Sequence, residues 1–310
     1  MIQGFRIGHY SDFENVTGCT VILAPAKGAI GGVDVRGPAP GTLGTESLAT
    51  GRAIERAHAI VLSGGSAFGL DTIAGVMRFL EEREIGYDVG VAHVPIVAGA
   101  ILFDLTVGNP NVRPTAENAY AACLHASDEI VEGSVGAGTG ATVGKLLDIE
   151  LATKGGIGYS ERALADEITV GAIVAVNAVG DVVDPANGQI VGGTRNSDGS
   201  WLDSSAFLLG GNKPMPLAAN NTTIGVIMTN ATLSVEHANL VAMMAHDGIA
   251  RATRPSHTLF DGDTLFVLAT GARGAGDLTM LGHAAAECVA EAIVRGVKQA
   301  RSLGGIRAWT

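Results

Sequence analysis

Glycine sets the first limit on what this chain can become: 44 of its 310 residues are glycine, spread from end to end without a collagen-like period. That is about twice the usual share. Because glycine turns tightly and lets one backbone approach another, the pattern predicts a compact, turn-rich α/β chain rather than disorder. A hydrophobic content of 47% supplies a large core, as one layered domain or two smaller ones. The formal charge of −11 argues against a nucleic-acid binder, which needs clustered Lys and Arg, and leaves neutral or cationic partners. Cys19, Cys123 and Cys288 stand far apart among small apolar residues, which reads as buried thiols in a reducing, cytoplasmic compartment. No CxxC or HxxxH pair offers metal-ligand spacing, so no metal is expected. The N-terminal residues lack a basic segment followed by an apolar core, and the best apolar run, 170–183, is broken by Asn177 and Asp181. Neither export nor membrane spanning is indicated.

In order, the chain opens with short strands at 5–8, 18–23 and 30–36, which together suggest a β-meander. A Gly/Pro/Thr loop at 37–45 leads into a helical stretch ending near His58, and 59–63 reads as a buried strand. Ser66 predicts the cap of a helix with Ile73, Val76, Met77 and Leu80 on its core face, ended by Gly86. Thr115 predicts the cap of another, reaching Val131. Residues 168–184 read as a hairpin turning near Gly180-Asp181, and the polar stretch from Gly188 to Ala219 as a long functional loop. Then come a strand at 223–228, a helix at 234–250, a strand at 263–269 and a helix at 277–301. Strands gathered at both ends, with helices between and after them, suggest helices packed on the faces of two sheets.

The chemistry centres on Asn220-Asn221-Thr222-Thr223-Ile224-Gly225-Val226-Ile227, where a polar turn passes into a β-branched run with a hydroxyl at the junction. A cut before Thr222 would leave nucleophile and base on one residue, since an α-amine with a pKa of roughly 7.7–8.0 can take the hydroxyl proton. The cut could be self-made, a hydroxyl held against the preceding carbonyl converting the Asn221-Thr222 amide to an ester. The same stretch is also an ordinary turn entering a strand.

Other motifs are weaker. Gly136-x-Gly138-x-x-Ala141 fits a loose dinucleotide fingerprint, but Thr139 and Leu146 stand where a phosphate loop requires glycine and Ser or Thr. The better reading is that the glycines of 133–145 let the backbone approach an active centre and present Lys145 there; the plainer one is a tight turn with Lys145 in solvent. Gly64-Gly65-Ser66-Ala67-Phe68 has Phe68 where a nucleophile elbow needs glycine, so Ser66 reads as a helix cap. His9, His93 and His257 read as polar loop or surface residues. Asp261-Gly262-Asp263, just before a buried strand, could hold an ammonium at a strand end; as an isolated motif it is also a turn.

Taken together, Thr17-Gly18-Cys19-Thr20-Val21, Val33-Asp34-Val35-Arg36-Gly37, Gly144-Lys145, Val176-Asn177-Ala178-Val179-Gly180, Asn221-Thr222-Thr223-Ile224 and Asp261-Gly262-Asp263-Thr264-Leu265-Phe266 resemble the N-terminal-nucleophile aminopeptidases and amidases of the L-aminopeptidase/D-Ala-esterase type. Within them the chain looks most like the nylon-oligomer endo-hydrolases. The resemblance implies a four-layer αββα sandwich, a single domain over 1–310 cleaved into an α part, 1–221, and a β part, 222–310. It implies that Thr222 becomes the nucleophile, that Asn177 donates to the oxyanion and Lys145 assists charge stabilisation, and that Asp261 and Asp263 hold the Thr222 amine and hydroxyl. Phe103 would line the substrate site, where the nylon-oligomer enzyme has a tyrosine. The implied substrate is a small peptide or oligoamide, with no metal or organic cofactor, and the implied assembly is a homo-oligomer, a tetramer of αβ units by analogy. An acyltransferase resembling ornithine acetyltransferase, a nucleotide-binding module using 133–145 and a non-catalytic relative remain the alternatives.

Overall fold

The computed structural model describes residues 1–214 and 221–310. The end of the predicted polar loop, 215–219, and Asn220 therefore lie outside the described residues.

Side-chain alternation along the strands decides the layering. In the strand Ile224–Thr229, Ile224, Val226 and Met228 join one core while Ile227 joins another, and in Thr264–Ala269 Phe266 and Leu268 oppose Leu265 and Val267 in the same way. A strand with apolar side chains on both faces must be covered on both. One six-stranded sheet runs in the spatial order Ile157–Ala163, Thr169–Ala175, Ile224–Thr229, Thr264–Ala269, Ala29–Val35, Arg56–Ala57. A five-stranded sheet runs Arg6–Asp12, Thr17–Leu23, Ala59–Ser63, Val97–Ile101, Thr42–Leu43. The inner faces meet in a core where Ile22, Ile60 and Leu62 of the second sheet pack with Ile173, Val226 and Phe266 of the first. Each such fully buried side chain stabilises the fold by about 1.5–3 kcal/mol.

Helices cover the outer faces. α1 (Thr72–Glu81) and α2 (Ala116–Leu124) lie on the five-stranded sheet. Short α3 (Ser204–Leu209) lies off the sheets, Phe207 and Leu208 packing on Leu146 and Val179, while α4 (Val235–Ala252) and α5 (Leu278–Lys298) cover the six-stranded sheet. The starts of α4 and α5 are written locally: Ser234 accepts from the His237 N–H, and Asp277 from that of Met280. The result is the expected αββα sandwich. Glycine makes its close layering possible, for a Cβ on Gly158 would sit 1.9 Å from Ala292 O of α5 and one on Gly8 1.9 Å from Ala122 O of α2.

Several local expectations are corrected. The opening strands are not a meander, because Ala29–Val35 leaves its neighbours and pairs with Thr264–Ala269 in the other sheet. The helix expected up to His58 shrinks to one 3-10 turn, Thr45–Leu48, in which only Leu48 is buried. Ser66 begins a 3-10 turn rather than capping α1, which follows Asp71 and ends at Glu81, short of Gly86. α2 is capped by Thr115 as predicted but stops at Leu124 rather than Val131. Residues 168–184 do not close a hairpin, since Asp181–Val183 pairs with Ile190–Gly192 and Thr253–Arg254 instead. No helix among the described residues is long and apolar enough to cross a membrane.

Candidate active site

Strand direction brings the site together. Thr169–Ala175 runs antiparallel to Ile224–Thr229, with Ala175 opposite Ile224, and Ile224–Thr229 runs parallel to Thr264–Ala269, with Ile224 opposite Thr264. The end of the first strand therefore meets the beginnings of the other two. Asn177 follows that end, while Thr222 and Asp261-Gly262-Asp263 precede those beginnings, so three distant segments share one corner of the sheet. All four side chains are buried: Asn177 is 0% exposed, Thr222 4%, Asp261 2% and Asp263 3%.

The glycine-rich loop delivers the fifth. Gly144 N–H donates to Gly180 O (3.0 Å) and Lys145 N–H to Val179 O (2.8 Å), which lays the loop along 177–180. Gly144 has φ +71°, and a Cβ there would lie 1.9 Å from Gly193 C, so only glycine fits. Lys145 is turned inward, its Nζ donating to Asn177 Oδ1 at 2.8 Å and to Asn177 O at 3.2 Å. Burial pulls the Lys145 ammonium down to about 7, against the pull of Asp261 in the other direction. The loop is no phosphate cradle: the N–H groups of Gly136, Ala137, Gly138, Thr139, Ala141 and Thr142 already donate within the chain.

The Asn221-Thr222 bond is held at both of its polar atoms. Asn221 O accepts from the Thr222 hydroxyl at 2.6 Å and from Gly262 N–H at 3.2 Å, while the Thr222 amide N–H donates to Asn177 O at 3.1 Å. A hydroxyl thus lies against a carbonyl that a second donor polarises. Asp263 Oδ1 accepts from Thr223 N–H at 2.7 Å, and Asp261 Oδ2 from Thr258 N–H at 2.7 Å. Burial, and then the neighbouring Asp263, push Asp261 up to about 6. The corner therefore combines a primary amine easily made neutral, a carboxylate easily protonated and a hydroxyl beside a polarised amide.

Phe103 enters through its backbone. Its carbonyl accepts from Asn177 Nδ2 at 3.2 Å, which engages the amide group expected to serve an oxyanion. Asn177 Oδ1 accepts from both Lys145 and Thr142 N–H, the latter at 3.0 Å, so this side chain organises its neighbours. Three residues were missed by sequence reasoning. His257, expected as a polar loop or surface residue, places Nδ1 2.8 Å from Asp263 Oδ2. Lys154 is wholly buried, its Nζ donating to the carbonyls of Gly138, Ala141 and Gly155. Asp104, pushed up to about 6 by burial, accepts from Thr17 Oγ1 and Gly65 N–H at 2.7 Å each. The signals were faint: each is one polar residue in an irregular or very short element, without periodicity. His9 is also drawn inward, to Thr20 Oγ1 at 3.0 Å, whereas His93 is exposed as expected.

Comparison with known proteins gives a consistent result. The peptidase family S58 profile matches residues 2–310. An uncharacterized aminopeptidase from Mycobacterium leprae is 42% identical, over 98% of this chain and 91% of its own length. A 6-aminohexanoate-oligomer endohydrolase from a Kocuria species is 34% identical, over 86% of this chain and 73% of its own. The mycobacterial protein is thus more similar, over more of the chain, than this oligomer hydrolase. In structure, the L-aminopeptidase D-Ala-esterase/amidase from Ochrobactrum anthropi, described as a variant of the Ntn hydrolase fold, superposes with a TM-score of 0.76, covering 99% of this chain and 89% of its own at 19% identity.

Proposed function

This chain belongs to peptidase family S58, and on that footing we propose that it is a self-processing amide hydrolase whose nucleophile is Thr222, released by cleavage of the Asn221-Thr222 bond. Hydrolysis of amide bonds is the activity of the family; the assignment to Thr222 is our reading. The observation that carries it is the Thr222 hydroxyl lying 2.6 Å from Asn221 O in a corner shared with Lys145, Asn177, Asp261 and Asp263.

In processing, Thr222 Oγ adds to the Asn221 carbonyl carbon and gives up its proton, for which neutral Lys145 is the available base. Gly262 N–H stabilises the charge developing on Asn221 O. The C–N bond breaks as the departing nitrogen takes a proton, leaving a free Thr222 amine and an ester on Thr222 Oγ, which water opens to an Asn221 carboxylate and the Thr222 hydroxyl. In turnover the same oxygen attacks a substrate amide. The α-amine takes its proton and passes it to the leaving amine, and water then hydrolyses the acyl ester. Asn177 O, already the acceptor of Thr222 N–H, would orient that amine, and Asp261 and Asp263 would hold its charged form.

The parts 1–221 and 222–310 would stay together after the cut, because Ile224–Thr229 is hydrogen-bonded between Thr169–Ala175 and Thr264–Ala269. The substrate class is a small peptide or oligoamide, in keeping with an aminopeptidase and an oligomer endohydrolase among the relatives. Three buried free thiols fit a reducing, cytoplasmic setting. Assembly of the αβ units into a closed homo-oligomer belongs to the same reading.

The test is release of amine from short peptide amides and 6-aminohexanoate oligomers by the wild-type and Thr222→Ala proteins. The wild type liberates amine from at least one, and the variant loses at least about a thousandfold of that rate. Equal turnover by the two proteins refutes the assignment, and product formed only when an amine acceptor is added would favour the acyltransferase alternative.

A further inference from the structure

The nucleophile's strand is tied to Asp263, and Asp263 is tied to His257. With 3% of its surface exposed, Asp263 has little water to satisfy its carboxylate, and its two oxygens are divided between two donors. Oδ1 takes Thr223 N–H at 2.7 Å; Oδ2 takes His257 Nδ1 at 2.8 Å. The first bond fixes the residue directly after Thr222. The second keeps the carboxylate from rotating away from the first.

His257 is itself held in an uncommon way. Its backbone has φ +51°, a left-handed conformation uncommon for residues with a side chain and adopted among them chiefly by Asn, Asp and His. Its ring meets that of His246 edge-on, centroids 5.1 Å apart, and His246, buried in α4, is anchored by Nε2 to Asp34 O at 3.0 Å. Burial pulls His246 down to about 4, so near neutral pH it is an uncharged backstop rather than a competing cation. His257 Nε2 is buried with no partner among the described residues, so its one polar contact there is the one to Asp263. A ring serving only to fill a turn would not need to aim its single hydrogen bond at a carboxylate of the candidate site.

We propose that His257 is a positioning residue for the Thr222 nucleophile: by donating from Nδ1 to Asp263 Oδ2 it locks Asp263 onto Thr223 N–H and holds the Asn221-Thr222 junction in its reactive geometry. His257 touches neither Thr222 nor the bond to be broken, so its effect passes through Asp263. The inference rests on the Thr222 reading above and adds to it a residue that neither the loop pattern nor the family resemblance pointed to.

Asparagine and leucine separate positioning from packing, because the asparagine Nδ2 occupies nearly the place of the histidine Nδ1 while leucine fills space without a donor. The full-length chain is made by cell-free synthesis as wild type, His257→Asn, His257→Leu and Thr222→Ala, and conversion to two fragments is followed on denaturing gels, with melting temperatures checking the fold. His257→Leu should process at least about tenfold more slowly than wild type, and His257→Asn should return to within about threefold of it. Normal processing by His257→Leu, or a His257→Asn chain as slow as His257→Leu, overturns the role of His257 while the Thr222 reading stands. A wild-type chain that remains whole overturns the Thr222 reading, and this inference with it.

Discussion

Replacing Lys145 by methionine removes a charge from the site with almost no change in length, and its effect on stability has a computable pH dependence. The comparison is made in the Thr222→Ala background, so that both proteins remain single uncut chains. Burial lowers Lys145 from 10.5 to about 7. The unfolded chain therefore keeps this proton up to about 10.5, whereas the folded chain releases it above about 7. Between those values the unfolded state binds the extra proton, so the stability of the fold rises with pH. Below the window both states are protonated and the fold carries the full cost of a buried ammonium; above it neither is, and the cost is gone. Each pH unit inside the window corresponds to about 1.4 kcal/mol. From pH 7 to pH 9 Lys145 thus contributes roughly 2–3 kcal/mol of rising stability, which methionine lacks. Urea titrations of the two proteins at both pH values report this difference; Lys154 is common to them, and Asp261, raised further once Lys145 is gone, makes the methionine protein lose stability as pH rises and so adds to the difference in the same direction. A rise with pH that is the same in both, within about 0.5 kcal/mol, would refute the claim that Lys145 is held unsolvated.

Other substitutions test the scaffold and the substrate site. Gly158→Ala places a methyl group 1.9 Å from Ala292 O, so α5 must move off the sheet, and urea unfolding should show a loss of at least about 2 kcal/mol. Asp104→Ala strands the buried Thr17 hydroxyl and Gly65 N–H, with an expected loss of about 2–4 kcal/mol in the same assay. Phe103→Tyr supplies the phenol that the family resemblance implies for the nylon-oligomer enzymes at this place; on that reading, amine release from 6-aminohexanoate trimer should rise by about tenfold relative to an α-dipeptide amide, about 1.4 kcal/mol in the barrier.

The parts of this architecture legible in the sequence are those where one strand or helix carries its own signal. Thr223 to Met228 and Asp263 to Ala269 announce buried strands through continuous apolar, branched runs, and Ser234 and Asp277 announce the helices that follow. Which strand joins which sheet was not legible. Ala29–Val35 looks like the third arm of a meander, and only the packing of its two faces, with α4 on one side and Leu48 and the inner core on the other, sends it across. The stretch ending at His58 has helix-forming residues, but from Thr45 to Arg56 only Leu48 is buried and Arg56–Ala57 pairs with Ala29–Val35, so tertiary packing overrides propensity.

The candidate site divides along the same line. Thr222, Lys145, Asn177, Asp261 and Asp263 stand in or beside recognisable motifs; the strand directions bring four of them into one corner, and the glycine-rich loop brings Lys145. Lys154 and Asp104 owe their placement to contacts with residues distant in the sequence. His257 lies only six residues before Asp263, yet nothing in that spacing says that its ring turns back onto the carboxylate.

The most direct test of the central claim is the intact mass of freshly purified protein beside its Thr222→Ala variant. Two fragments, one beginning at Met1 and ending at Asn221 and the other beginning at Thr222, with the variant remaining a single full-length chain, are what the account predicts. A wild-type protein that keeps one full-length mass after prolonged incubation, or a Thr222→Ala chain that is cut at the same bond, would contradict it.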